Sequence, residues 1–183
     1  MMRPIRTAAL AVLLATTSSQ PIVARSAPEP APVAPKLDYA FSAKITLAPP
    51  VEVGEIDGGR RRFIAITGGT ISGPRLQGTV LPGGGDWQTI LPGGLTLLDA
   101  RYFLRTADGA TIEVSNPGIR TASPEVIERL ARGEIVSPEF YYFRTTPSFK
   151  VAGTANQWLR RSVFVARGKR NPDNVEIDFF TVD

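Results

Sequence analysis

From Leu37 to Leu47 apolar and polar residues alternate, with Leu37, Tyr39, Phe41, Ala43, Ile45 and Leu47 on one side and Asp38, Ser42, Lys44 and Thr46 on the other. A period of two held over this length predicts a half-buried strand. Pro49-Pro50 ends it, 51–55 reads as a short extended piece, and Asp57-Gly58-Gly59 as a turn. Short strands are expected over 61–67, 70–72, 75–81 and 86–91, separated by Gly68-Gly69, Gly73-Pro74 and Pro82-Gly83-Gly84-Gly85. Pro92-Gly93-Gly94 marks another turn, 95–106 a longer strand, and Asp108-Gly109 a hairpin leading into 110–115. One helix interrupts the pattern. Ser123 suits its N-cap and Pro124 its first turn, Val126, Ile127 and Leu130 give it an apolar face, and Gly133 stops it. Strands resume over 139–145, 158–166 and 175–182, with Asn171-Pro172-Asp173-Asn174 turning between the last two. The pattern is all-β, about eight to ten antiparallel strands with one short helix, in a barrel or a sandwich. The lack of alternating helices argues against a parallel sheet. A barrel is favoured, because closure removes edge strands.

The first residues follow another pattern. Arg3 and Arg6 precede the apolar run Ala8–Ala15, and Ala24-Arg25-Ser26 offers a cleavage signal, so 1–26 is expected to be a signal peptide. The run is too short to span a bilayer. Residues 27–35 (APEPAPVAP) form a Pro/Ala linker of extended habit, leaving 36–183 as one domain. This division changes the meaning of the charge. The whole chain carries +4, but 1–26 holds three arginines and no acid, so its removal leaves 18 basic and 17 acidic residues. A near-neutral domain has no electrostatic reason to bind nucleic acid or an anionic membrane. A periplasmic or secreted protein is expected, with no stable membrane insertion after signal removal. The chain has no Cys, which excludes a lipoprotein anchor and any disulfide.

With neither His nor Cys, a Ser-His-Asp triad, a cysteine nucleophile and a zinc site of thiolates or imidazoles are impossible. No EF-hand spacing occurs, so neither metal nor cofactor is expected. Acid–base work falls to Asp, Glu, Tyr, Lys or Ser, with Arg as electrostatic partner. Asp86-Trp87, after three glycines, is the leading constellation. Burial against Trp87 would raise the Asp86 carboxyl into a useful range, and a nearby Arg would lower it. The plainer alternative is that Asp86 caps a turn and Trp87 fills the core. Arg62, Arg101, Arg144 and Arg160 lie in strands among apolar neighbours, Arg144 on one face with Tyr142 and Arg160 with Trp158. A guanidinium among aromatics suits a carboxylate or phenolate, and Tyr102 and Tyr142 add phenolic donors. The alternative for each Arg is an outward position or a salt bridge to Asp86, Asp99 or Glu139. The runs Arg60-Arg61-Arg62 and Arg167-Gly168-Lys169-Arg170 are read as a solvated rim, Arg61 and Arg62 falling on opposite faces. The glycine run is not a phosphate loop, since no Gly-Lys-Ser/Thr follows.

Several of these stretches resemble the bacterial domain-of-unknown-function 3237 family. They are Gly58-Gly59-Arg60-Arg61-Arg62, Ile66-Thr67-Gly68-Gly69-Thr70, Ser72-Gly73-Pro74, Leu81-Pro82-Gly83-Gly84-Gly85-Asp86-Trp87 and Asp99-Ala100-Arg101-Tyr102, followed by Tyr141-Tyr142-Phe143-Arg144, Phe149, Trp158-Leu159 and Val163-Phe164-Val165. The likeness runs from about Leu37 to Val182. The family pattern has Asn after Trp-Leu, where this chain has Arg160, and Gly after Val-Phe-Val, where it has Ala166. The resemblance implies an up-and-down β-barrel of calycin or lipocalin-like kind and no defined activity. Such a barrel would hold a small aromatic or carboxylate-bearing ligand, with Arg62, Trp87, Arg101, Tyr102, Arg144, Trp158 and Arg160 as candidate binding residues. The alternative is a cofactor-free isomerase, lyase or hydratase, with Asp86 or Tyr142 moving the proton and Arg stabilising an enolate or phenolate. A scaffold with a filled core is the third reading.

Overall fold

A computed structural model of the chain describes residues 31–183, of which Ala34–Asp183 forms one unit. The expected signal peptide and residues 27–30 of the expected linker lie outside the described residues; 31–36 are exposed and irregular. The strands are β1 (Leu37–Leu47), β2 (Val51–Ile56), β3 (Gly59–Ser72), β4 (Gly78–Val80), β5 (Gly84–Ile90), β6 (Leu95–Thr106) and β7 (Thr111–Ala122). After helix α1 (Pro124–Ala131) come β8 (Tyr141–Thr145), β9 (Ser148–Val151), β10 (Val163–Arg170) and β11 (Asn174–Val182). Eight of them close a ring of antiparallel pairs, β1–β3–β5–β6–β7–β8–β10–β11 and back to β1. The ring follows chain order, so the chain goes up and down around a barrel. Closure pairs Leu37 with Val182, and the Ser42 hydroxyl donates to Asp178 at 2.5 Å across the seam.

The other three strands extend strands of the ring rather than adding new ones. β2 continues β1 along β3, β4 precedes β5 along β3, and β9 continues β8 along β7. The breaks fall at Ala48-Pro49-Pro50, Leu81-Pro82-Gly83 and Thr146-Pro147. Each contains a proline, whose missing N–H cannot join a ladder. Conversely, the expected break at Gly68-Gly69 does not occur, and 61–67 and 70–72 are one strand, β3. Gly69 absorbs the irregularity at φ 147°, where a Cβ would meet the Lys44 carbonyl oxygen at 2.1 Å.

Three further expectations need correction. β7 continues through Pro117 to Ala122 rather than stopping at Ser115. Pro117 is tolerated beside the β8/β9 break, where Thr146 N donates to its carbonyl at 2.9 Å. Ser148–Val151 is a strand with no counterpart in the sequence reading. The strand expected from Trp158 starts only at Val163, because 157–160 is a single 3₁₀ turn.

The barrel interior has two halves of different character. Phe41, Phe149, Phe164 and Phe179 fill one half, with Phe41 stacked on Phe179 at 4.5 Å and Phe149 edge-on to Phe164 at 4.9 Å. Trp158 closes that end, its indole lying under the Arg75 guanidinium at 3.8 Å. The other half sets buried polar side chains among apolar walls that include Ile45, Ile66, Leu98, Phe143 and Ile177. The connection containing α1 runs near it, and the helix starts and stops as its sequence dictates. Ser123 Oγ accepts from Val126 N at 3.4 Å, Ile127 and Leu130 are its buried residues, and Gly133 leaves it at φ 76°.

Candidate functional site

Alternation along β3, β5, β6 and β7 sends polar side chains into the second half of the barrel. Arg62 on β3 pairs in register with Gln88 on β5, and Thr96 on β6 with Arg120 on β7. One step inward, Asp86 is opposite Ala100, which is opposite Asn116. The small Ala100 side chain between two polar ones opens a cavity of about 40 Å³. Its walls include Asp86, Gln88, Tyr102, Asn116, Arg120 and Thr145.

The groups form a chain of hydrogen bonds. Arg62 Nε and Nη2 both donate to Gln88 Oε1, at 2.9 and 2.7 Å. Gln88 Nε2 donates to Asp86 Oδ2 at 2.5 Å, and the Asp99 backbone N–H donates to Asp86 Oδ1 at 3.2 Å. Gln88 thus bridges a guanidinium and a carboxylate that do not touch. Its amide orientation is fixed from both ends, since the oxygen must face the donors and the nitrogen the carboxylate.

Burial sets the protonation of this site. The Asp86 carboxyl keeps some accessible surface where it faces the cavity, but protein surrounds it. Desolvation pushes its pKa above the ordinary 3.8, against the Gln88 hydrogen bond, Arg120, the Asp99 N–H and Arg62. Arg120 is 2% exposed, and burial first, then the Arg62 charge, lower its pKa to about 10, so it stays cationic at neutral pH. Burial also lowers Arg62 and Arg170. Arg170 is the last residue of β10 and reaches over the turn that follows, where Nη1 donates to the Asn174 carbonyl at 2.9 Å and to that of Asn171, and Nη2 to that of Pro172 at 3.1 Å. Tyr102 is 2% exposed, and burial raises its phenol pKa strongly.

Five buried side-chain atoms lack a hydrogen-bond partner among the described residues: Thr96 Oγ1, Tyr102 OH, Asn116 Oδ1, Arg120 Nε and Thr145 Oγ1. All but Thr96 line the cavity. The Tyr102 hydroxyl and Asn116 Oδ1 are near enough to influence each other, yet neither completes a hydrogen bond. Each such atom costs about 1–3 kcal/mol when left buried without a partner, so the cavity is where a polar guest, whether ordered water or a ligand, would be held. Among the described residues no group of three His, Cys, Asp or Glu side chains converges as metal ligands.

Residues 35–182 match the family model described as "Protein of unknown function (DUF3237)". The chain belongs to the DUF3237 family. A relative named UPF0311 protein from Clostridium acetobutylicum is 43% identical over 146 residues, 79% of this chain and 92% of that one. The crystal structure of a conserved protein of unknown function from Rhodopseudomonas palustris superposes with a TM-score of 0.81 at 39% identity, covering 84% of this chain and all of that one. A protein described as β-barrel like, from Acinetobacter baumannii, gives 0.71 at 37% identity over 87% of this chain and all of that one. A more distant likeness joins this DUF3237 chain to the hydroalkoxylation enzyme phnH of Penicillium herquei, 37% identical over 84 residues, 46% of this chain and 56% of that one.

Of the residues singled out in this DUF3237 sequence, Arg62, Asp86 and Tyr102 converge on the polar interior. The others do not. Trp87 points out of the barrel, 45% exposed, against Phe63 at 4.9 Å, so it is not the wall that desolvates Asp86. Adjacent strand residues face opposite ways, and Asp86 stands within β5 rather than in a turn. Arg101 is exposed and paired with Asp99 at 3.1 Å. Tyr142 is 49% exposed on the outer wall, under the Arg144 guanidinium at 4.9 Å, and Arg144 Nη1 donates to the Phe143 carbonyl at 2.9 Å. Trp158 belongs to the apolar end, and Arg160 is exposed on the 3₁₀ turn. The solvated-rim reading fails for Arg62, which is buried, and for Arg170, which lines the cavity. Gln88, Asn116, Arg120, Thr145 and Arg170 complete the site and had not been singled out for it.

Proposed function

We propose that the cavity receives the polar end of a small organic ligand and that Asp86 exchanges a proton with it, without a cofactor. The observation that carries this reading is the convergence of four unpartnered polar atoms, from Tyr102, Asn116, Arg120 and Thr145, on the cavity that Asp86 also lines. Burial favours the protonated form of the Asp86 carboxyl, which suits it to give and take a proton, and Tyr102 supplies a hydroxyl beside it. The volume limits what enters. About 40 Å³ is far below the roughly 150 Å³ cavity that takes a benzene ring, so the ligand buries its reacting oxygen and leaves its body at the mouth. The relative named a hydroalkoxylation enzyme supports proton transfer, since adding an O–H group across a multiple bond needs a proton moved to carbon.

The test uses the purified protein in deuterated water with a panel of hydroxyaryl alkenes and small unsaturated acids. Mass spectrometry would find deuterium on ligand carbon with wild type and none with Asp86→Asn, while calorimetry finds the same ligand bound by both. Binding without exchange in wild type would leave a carrier and sink the proton-transfer reading. We also propose export, on the strength of the charged start and the apolar run Ala8–Ala15. Fractionation of cells expressing the full chain should recover a shortened protein outside the cytoplasm; a full-length cytoplasmic product would refute it.

A further inference from the structure

We infer that Arg120, on the cavity wall, with Arg62 behind Gln88 adding positive potential, forms a subsite for a carboxylate, so that the ligand is an organic monoacid bound with its carboxylate buried. This deepens the reading of the cavity as a ligand site, and it stands independently of whether Asp86 moves a proton.

The electrostatics of the interior are unbalanced. Arg62 and Arg120 are 6% and 2% exposed, and each lies within reach of the other's charge. Asp86 is the one carboxylate on the cavity wall, and it pairs directly with neither. It spends its oxygens on the Gln88 amide and the Asp99 N–H. Arg62 is held by a neutral acceptor, Gln88 Oε1, that takes both of its bonds. Arg120 Nε has no acceptor among the described residues. Arg62 feels the charges of Glu52 and Asp86, and Arg120 that of Asp86, but neither has a carboxylate in direct contact among the described residues, a state that is costly for a buried cation unless an anion joins it.

The geometry selects the kind of anion. A carboxylate is planar, accepts from two sides and pairs with guanidinium through parallel N–H donors. Arg120 and Arg170 on the cavity wall outnumber its one carboxylate, Asp86, and leave room for a monoanion, and the small cavity favours a flat three-atom head over a tetrahedral one. A carboxylate at Arg120 also places the ligand's next atoms toward Tyr102, Asn116 and Asp86 on the same wall. Arg170 adds positive potential on the cavity wall but is committed to the carbonyls of the turn that follows β10.

Calorimetric titration of the full chain with acetate, propionate and benzoate, each against its amide, and with inorganic phosphate tests this. Saturable binding of one or more acids, at least about ten-fold tighter than the matching amide, is expected from one charge-assisted contact. Arg120→Met should abolish that preference while the melting temperature holds or rises, because it deletes an unpaired buried charge. Equal affinity for acid and amide, no binding of any acid, or phosphate binding as tight as the acids would overturn the proposal. So would an Arg120→Met protein that melts lower yet binds acids unchanged. Acid binding without deuterium exchange would sink only the role given to Asp86.

Discussion

Gln88 decides the character of the site, because a neutral amide separates Arg62 from Asp86 where a direct salt bridge would otherwise form. Gln88→Leu strips Arg62 of its acceptor and Asp86 of a donor, and should lower stability by about 1–3 kcal/mol in denaturant unfolding. Gln88→Glu should behave differently. It gives Arg62 a charged partner but sets a like charge beside Asp86, pushing that carboxyl further up, so the acid limb of any pH–activity profile moves to higher pH. The raised Asp86 pKa also predicts how stability depends on pH. A carboxyl favoured in its protonated form by the fold contributes stability that is present below its ordinary value of 3.8 and lost as pH rises through the raised folded value. The melting temperature of wild type minus that of Asp86→Asn should therefore fall from acidic to neutral pH. A flat difference would mean that Asp86 titrates normally. At the outer wall, Arg101→Ala and Arg144→Ala should leave ligand affinity unchanged in the same calorimetric assay, since neither side chain lines the cavity.

At the scale of elements, the alternating runs and turn residues were legible, and the helix from Ser123 to Gly133 was read closely. Ser123→Ala should cost about 1 kcal/mol of stability in chemical denaturation, the value of an N-cap. What failed was deciding whether a breaker breaks. Gly68-Gly69 lies inside β3 and Pro117 inside β7, because neighbouring strands accommodate them, whereas the other prolines interrupt theirs. The Pro117 error hid Arg120, which had been placed beyond the end of its strand. Gly168 illustrates an interior requirement that no local pattern announces. A Cβ there would meet the Phe143 ring at 2.5 Å, so Gly168→Ala should overpack the barrel and cost about 1–3 kcal/mol in unfolding experiments.

For the molecule as a whole, the barrel and the family were within reach of the sequence, but the inside of the barrel was not. Singling out both Asp86 and Trp87, or both Arg101 and Tyr102, overlooked that neighbours on a strand cannot share a face. Once one parity is fixed by the register of Arg62 with Gln88, the rest of β5 and β6 follows. Gln88, Asn116 and Thr145 carry no chemical signature of their own and become informative only when the ring brings them together.

The seam between β1 and β11 joins the earliest and latest strands of the domain, across 136 residues between Ser42 and Asp178. A barrel whose opening strand waits for its closing one has no finished half to fold early; long-range pairing makes such topologies slow. During synthesis the chain therefore stays unlocked until its last strand has emerged. Under the export proposed above, that delay would let a translocation machine thread the chain as an extended polymer before it assembles on the far side.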